Sequence, residues 1–222
     1  MNNTENQPLM VLAGIGEGLG SALAARFVAS GYQVVGLSRS ARELPLSGYF
    51  AIPCDLTKEA DVQEAFEQIE RQHGQPAVVI HMVGDLLISP FLTLSPEAFE
   101  SVWRSMVLSA MLVSQQAIAR MLPAAQSALL FAGATASLRG GARFAAFASA
   151  KFALRGLAQS LAREFQSQGI HVAHLVLDGI IGTAGDTELD PAALAENFWT
   201  LAHQPRSAWT HELDVRPQLE RF

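Results

Sequence analysis

The sequence predicts an α/β fold: a parallel, seven-stranded, doubly wound sheet with helices on both faces. Three observations carry this expectation. Apolar runs of strand length alternate with longer helical patterns, the rhythm of right-handed strand–helix–strand crossovers. A glycine-rich turn sits where the first strand meets the first helix. Half of the 222 residues are hydrophobic and only 16% are charged, so strands and helices must be buried on several faces.

The elements follow in order. Leu9–Ala13 reads as the first strand, and Ser21–Ser30 as a helix closed by Gly31. Gln33–Leu37 and Tyr49–Ile52 read as the second and third strands. A charged amphipathic helix runs from Lys58 to Gln72 and stops at Gly74. Ala77–Val83 is the fourth strand. Ser95-Pro96 opens a long helix to Met121, with Ser as cap and Pro at the first helical position. Ala128–Phe131 is the fifth strand, Ala145–Gln168 a long helix closed by Gly169, and His171–Leu177 the sixth strand. Asp190-Pro191 opens a last helix to His203, and Trp209–Val215 reads as the seventh strand. No fixed-period repeat or dividing linker is present, so residues 1–222 are expected to form one domain, with residues 1–7 disordered.

Composition narrows the function classes. A net charge of −6 argues against a general nucleic-acid binder, which needs a basic surface. Cys54 is the only cysteine, so no internal disulfide forms and a reducing compartment fits. Met1–Pro8 lacks the basic and apolar regions of a signal peptide, and no apolar run reaches the ~18 residues that span a bilayer. A soluble, cytoplasmic protein without membrane or nucleic-acid partners is expected. The six histidines are scattered and no cysteine pair exists, so no metal site is expected.

In the segment Gly14-Ile15-Gly16-Glu17-Gly18-Leu19-Gly20, glycines let the backbone turn tightly and approach a pyrophosphate. The helix that follows presents free N–H groups and a positive dipole end. A tight turn without a ligand is the competing reading. Gly14, Gly18 and Gly20 have the Gly-x-x-x-Gly-x-Gly spacing of the short-chain dehydrogenase/reductase family, which the chain resembles over residues 8–215. Asp55-Leu56 resembles the family's adenine-contacting segment. His81-Met82-Val83-Gly84 stands where the family has Asn-Asn-Ala-Gly. Phe147-Ala-Ser-Ala-Lys151 stands where it has Tyr-x-x-x-Lys, and Asp178-Gly179-Ile180-Ile181-Gly182-Thr183 resembles its nicotinamide-embracing segment. The resemblance implies a Rossmann-type domain binding a nicotinamide dinucleotide through Gly14, Gly16, Gly18, Leu19, Gly20, Asp55, Leu56, Val83, Gly84, Lys151, Ile181 and Thr183.

Which dinucleotide is a separate question. A carboxylate at the end of the second strand binds the ribose hydroxyls of NAD and repels the 2′-phosphate of NADP. Leu37-Ser38-Arg39-Ser40 has none there, and Arg42 follows. Ser38 and Arg39 are therefore candidate binding residues and NADP(H) is favoured over NAD(H), with a solvated surface Arg39 as the alternative.

The family's proton-transfer residues are mostly missing. The resemblance places its Tyr at Phe147, its Ser at Ala134 and its Asn at Met106, and leaves Lys151 as the only surviving catalytic candidate. General acid–base catalysis is worth about 10²- to 10⁴-fold, or about 3–5 kcal/mol, so that contribution is absent. The pattern resembles a divergent subgroup with Phe-x-x-x-Lys. Thr135 and Ser137 are either replacement hydroxyls or ordinary loop residues, and His81 is either a proton-transfer group or a structural stand-in for Asn. Arg139 and Arg143 are either anion ligands or exposed charges. Cys54 reads as packing.

Residues 106–122 and 144–165 are apolar around much of their circumference, and the family packs the corresponding helices against a second subunit. A homodimer or homotetramer is expected, with Ala148 and Leu154 as candidate contacts. Function divides between an NADP(H)-dependent oxidoreductase with an altered proton donor and unknown substrate, and a non-catalytic dinucleotide-binding sensor or oligomer partner. An unrelated methyltransferase fits the glycine spacing and Lys151 poorly.

Overall fold

The structure, a computed structural model, describes residues 7–122, 124, 126–183 and 185–220. Of the expected disorder at residues 1–7, residues 1–6 lie outside the described residues. Seven strands form one sheet in the order β3-β2-β1-β4-β5-β6-β7. They are β1 (Leu9–Ala13), β2 (Gln33–Ser38), β3 (Tyr49–Pro53), β4 (Pro76–His81), β5 (Ser127–Ala132), β6 (Ile170–Leu177) and β7 (Glu212–Val215). Every pairing is parallel. The strand order reverses between β1 and β4, so a crevice opens there at the carboxyl ends of the strands.

Alternation along the strands builds two cores. Leu9, Val11 and Ala13 face the layer of α2 (Glu59–His73), α4 (Ser109–Met121) and α5 (Ala145–Phe165), with Phe66, Val113 and Leu154 fully buried. Met10 and Leu12 face α1 (Leu19–Ala29) and α6 (Pro191–Ala202), against Phe27 and Phe198. Runs such as β6, buried at every position, are what a sheet covered on both faces requires.

Several boundaries differ from the sequence reading, four of them with a visible structural cause or consequence. β4 ends at His81 rather than Val83, because the chain leaves the ladder to pass beside Gly14. The helix opened at Ser95 is interrupted. α3 (Pro96–Trp103) passes through a π-helical turn, Arg104–Leu108, before α4. α5 ends at Phe165, followed by a short 3₁₀ turn to Gln168. β7 begins at Glu212, because Trp209 leaves the strand path to stack on His171, centroids 4.9 Å apart. Ala148 and Leu154 are buried inside the protomer, which removes both as contacts with a second subunit. No helix among the described residues is long and apolar enough to cross a membrane.

Candidate functional site

The glycine turn is built against the sheet. Gly14, at φ 90°, and Ile15 donate their amides to the Leu37 carbonyl at 3.0 and 3.3 Å. A Cβ on Gly14 would stand 2.5 Å from Val83 Cγ2, so only glycine lets β4's continuation pass this close. A Cβ on Gly20 would meet Ile15 Cγ1 at 2.8 Å, which makes Gly20 a packing glycine under the turn. Gly16, Gly18 and Gly84 have no neighbour within 4 Å of where a Cβ would be. Their backbone borders open space, the feature a pyrophosphate cradle needs. The residues present thus fit a dinucleotide.

Two contiguous clefts share Gly14 and Gly84. One, of about 370 Å³, is lined by Ser38, Arg39, Asp55, Leu56 and Val83. The other, of about 700 Å³, is lined by Gly16, Gly18, Leu19, Lys151, Ile181 and Thr183. The fold therefore gathers thirteen of the fourteen sequence-derived positions along one crevice, Gly20 lying beneath it. The Asp55 carboxylate accepts from the Thr57 hydroxyl at 2.7 Å and the Thr57 amide at 3.1 Å, and Lys58 Nζ lies 3.5 Å away. The Thr57 hydroxyl foremost holds its pKa below the usual carboxylate value. Cys54 beside it is buried, and that burial pushes its thiol up to about 12, so it is not a nucleophile.

The inner end of the larger cleft is largely apolar. Phe147 and Ala134 line it, and Met106 lies fully buried behind, packed with Val102, Ala146 and Ala150 in a small cluster that Phe147 joins. Met106 sits in the π-helical turn. There the Ser109 amide donates five residues back to Arg104, while the Ser109 hydroxyl donates to the Ser105 carbonyl at 2.5 Å. With that proton committed, His81 Nε2, 2.8 Å from Ser109 Oγ, must itself donate. His81 Nδ1 is buried without a partner among the described residues. Burial foremost, then Lys151, pushes the imidazole down to about 3. His81 does not line the cleft and is placed as a structural residue.

Lys151 is buried, and its Nζ donates to the Ala132 carbonyl at 2.8 Å while lying 5.7 Å from the Phe147 ring centroid. Burial lowers its pKa to about 8. Both candidate hydroxyls are already engaged: Thr135 donates to buried Asp178, and Ser137 accepts from the Ala134 amide at 3.2 Å and lies 3.3 Å from His174 Nε2. Asp178 also pairs with Arg139 and Arg216, each at 3.5 Å, which ties three loops at the carboxyl edge of the sheet. Arg143 is exposed in a left-handed conformation, φ 71°, and its carbonyl accepts from Ser89. Neither Arg139 nor Arg143 lines the cleft. The sequence reading missed Glu17, Met82 and Leu86 in the larger cleft and Ser101, Arg104 and Ser105 in the smaller. Glu17 and Met82 lie between recognised motif positions and were within reach. Ser101 of α3 and Arg104 and Ser105 of the π-helical turn are brought in only by the crossover. Among the described residues no three His, Cys, Asp or Glu side chains are grouped to hold a metal.

Known proteins share this architecture. Residues 8–193 match the short chain dehydrogenase family. Carbonyl reductase family member 4 of Danio rerio is 30% identical over 182 residues, covering 79% of this chain and 76% of that protein. A short-chain dehydrogenase from Rhodopseudomonas palustris superposes with a TM-score of 0.85 at 35% identity, covering 96% of this chain and 99% of that one. A metagenomic short-chain oxidoreductase solved in complex with NADP gives a TM-score of 0.85 at 20% identity, covering 98% and 100% of the two chains. With the match over residues 8–193, the relatives of 30% and 35% identity and the order of the sheet, the chain belongs to the short chain dehydrogenase family.

Proposed function

We propose that this chain is an NADP(H)-binding oxidoreductase of unknown substrate whose proton-transfer site is degenerate, with Phe147, Ala134 and Met106 in place of Tyr, Ser and Asn. The observation that carries this reading is the continuous crevice from Arg39 past the glycine turn to Lys151. Gly14, Gly16 and Gly18 and the first amides of α1 would hold the pyrophosphate. Asp55 and Leu56 would flank the adenine, Arg39 would meet a 2′-phosphate, and Lys151, Ile181 and Thr183 would hold the nicotinamide half. Exposed Arg39 has no ion pair among the described residues and is available for that contact. A reduced nicotinamide supplies hydride when bound. The chain's own contribution is to orient it, and among the described residues Lys151 is the only ionisable side chain at the inner end of the cleft. Residues 1–222 acting as one cytoplasmic, homo-oligomeric domain completes the reading.

Calorimetric titration with NADP(H) and NAD(H), together with NADPH oxidation against a broad carbonyl panel, tests it. Tighter NADP(H) binding is expected, and substitution Arg39→Asp should weaken it by more than about tenfold, a charge-assisted pair becoming a repulsion. Equal affinity for both nucleotides would remove Arg39 from the site. A second reading, a dinucleotide-binding sensor or oligomer partner without turnover, is favoured by the apolar cluster of Met106 and Phe147 where a proton donor is needed. Binding without oxidation of NADPH on any substrate would select it.

A further inference from the structure

β6 is buried to its last residue, Leu177, and Asp178 directly after it is buried as well, at 2% exposure. A carboxylate in such a place is held by charged and hydrogen-bonding partners or not at all. Its two oxygens serve different segments. Oδ1 accepts from the Thr135 hydroxyl and lies 3.5 Å from Arg139 Nη2, both in the turn after β5. Oδ2 lies 3.5 Å from Nη2 of Arg216, just beyond β7. Arg216 also pairs with Asp214 at 2.5 Å, so that two guanidinium groups face two carboxylates. The backbone reinforces the arrangement. The Leu138 and Arg139 amides donate to the Thr135 carbonyl at 3.0 and 3.1 Å, closing the turn that returns Arg139 to the carboxylate. The Asp178 amide donates to the Val215 carbonyl at 2.9 Å, and a Cβ on Gly179 would stand 2.8 Å from Pro217 Cδ.

The same segments form walls of the larger cleft. Gly133 and Ala134 directly precede Thr135, while Gly179, Ile181 and Thr183 follow Asp178. Asp178 does not itself line the cleft, so it acts on a ligand only through these neighbours. The outer limb of the loop after β6 is held on its own, Gly182 donating to Leu189 at 3.0 Å and Leu189 to Ile180 at 2.8 Å. The inner limb is held at Asp178. Resting on the NADP(H) reading above, we propose that Asp178 is a positioning residue: its buried carboxylate, clamped by Thr135, Arg139 and Arg216, fixes the spacing between the loops after β5 and β6 and so seats the nicotinamide half of the dinucleotide. The adenine half, expected beside Arg39, Asp55 and Leu56 in the smaller cleft, is independent of the clamp.

The test compares NADP⁺ with 2′-phospho-ADP-ribose, which keeps the adenine and pyrophosphate and lacks the nicotinamide. Both are titrated by calorimetry into wild type, Asp178→Asn, Arg139→Gln and the double variant, and NADPH fluorescence is recorded on binding. The Asp178→Asn change keeps the size of the side chain and an acceptor for Thr135, and removes the charge. It should weaken NADP⁺ roughly tenfold, the scale of one charge-assisted pair, and leave the fragment unchanged. The fluorescence rise of an immobilised nicotinamide should shrink with it. Arg139→Gln should act in the same direction, and should add little in the Asp178→Asn background, the coupling a double-mutant cycle isolates. If Asp178→Asn does not fold, Arg139→Gln, at a side chain 48% exposed, carries the same comparison. Equal losses for NADP⁺ and the fragment would make the clamp a purely structural one and overturn this inference, as would an unchanged NADP⁺ affinity; the cofactor reading stands in both cases. Failure of wild type to bind either ligand overturns both.

Discussion

At Lys151 the chain keeps a cation in the cleft without hydroxyls around it to use. The Ala132 carbonyl occupies one of its donors, the Phe147 ring centroid lies 5.7 Å away, and Ala134 offers no side-chain oxygen. A pKa lowered to about 8 leaves the ammonium mostly protonated at neutral pH. Wild type is therefore expected to bind nucleotide yet show no brisk reduction of simple ketones or aldehydes. Restoring Phe147→Tyr with Ala134→Ser should produce measurable NADPH oxidation, up to about 10²-fold above wild type, general acids contributing 10²–10⁴ in sites built for them. Brisk wild-type turnover would refute this. Thr135 and His81, the first replacements considered, would then need to leave Asp178 and Ser109 to act. The residues that line the crevice were legible because glycine spacing, Asp55 and Lys151 carry their meaning in sequence order. The engagement of Thr135 by Asp178 was not, since it joins residues 43 apart through the adjacency of β5 and β6.

Among elements, the first strand–helix unit is the most tightly determined. Gly14 combines a φ of 90° with a Cβ position 2.5 Å from Val83 Cγ2. Gly14→Ala adds backbone strain of about 1–3 kcal/mol and pushes the β4 continuation away. Urea unfolding should show a loss of at least about 2 kcal/mol, and calorimetry a drop of more than tenfold in nucleotide affinity. Unchanged binding would mean that the turn does not hold the dinucleotide. The run at residues 9–13 and its glycines announced this unit plainly. The π-helical turn at Arg104–Leu108 had no such signal, because the apolar pattern from Pro96 to Met121 continues through it. Such turns recur at functional sites. Here the turn places Ser105 on the cleft and Met106 in the buried cluster. β7 was read three residues too long for a related reason. Trp209 is apolar enough to suggest a strand, but it is used to cover His171.

For the whole molecule, the sheet's two-sided burial sets both its acid stability and its remaining exposed apolar surface. His81 and His174 are held neutral, pushed down by burial to about 3 and about 4, against about 6.5 in an unfolded chain. Between those values the unfolded state binds more protons, so stability is full above pH ~6.5 and falls as pH drops toward 4. Asp55, whose carboxyl lies below its ordinary value, loses its contribution only at lower pH. Urea midpoints measured from pH 7 to pH 4 should decline, and less steeply in His81→Asn/His174→Gln; equal slopes would contradict it. Assembly is the remaining whole-molecule property. Residues 106–122 and 144–165 suggested an interface, but most of their apolar surface serves the protomer's own core, Leu154 included. What remains outside is narrower: Phe152 on α5, and a groove of about 390 Å³ lined by Trp103, Val107, Leu108 and Met111. Closed two-fold contacts bury such strips against their own copies. Light scattering at micromolar concentration should give two or four times the chain mass of 23.8 kDa. Phe152→Asp should reduce the mass to that of one chain and leave the circular dichroism spectrum intact. Leu154→Asp, placing a charge inside the core, should unfold the chain instead. A wild-type mass of one chain would show that the exposed strip has no second copy to cover it.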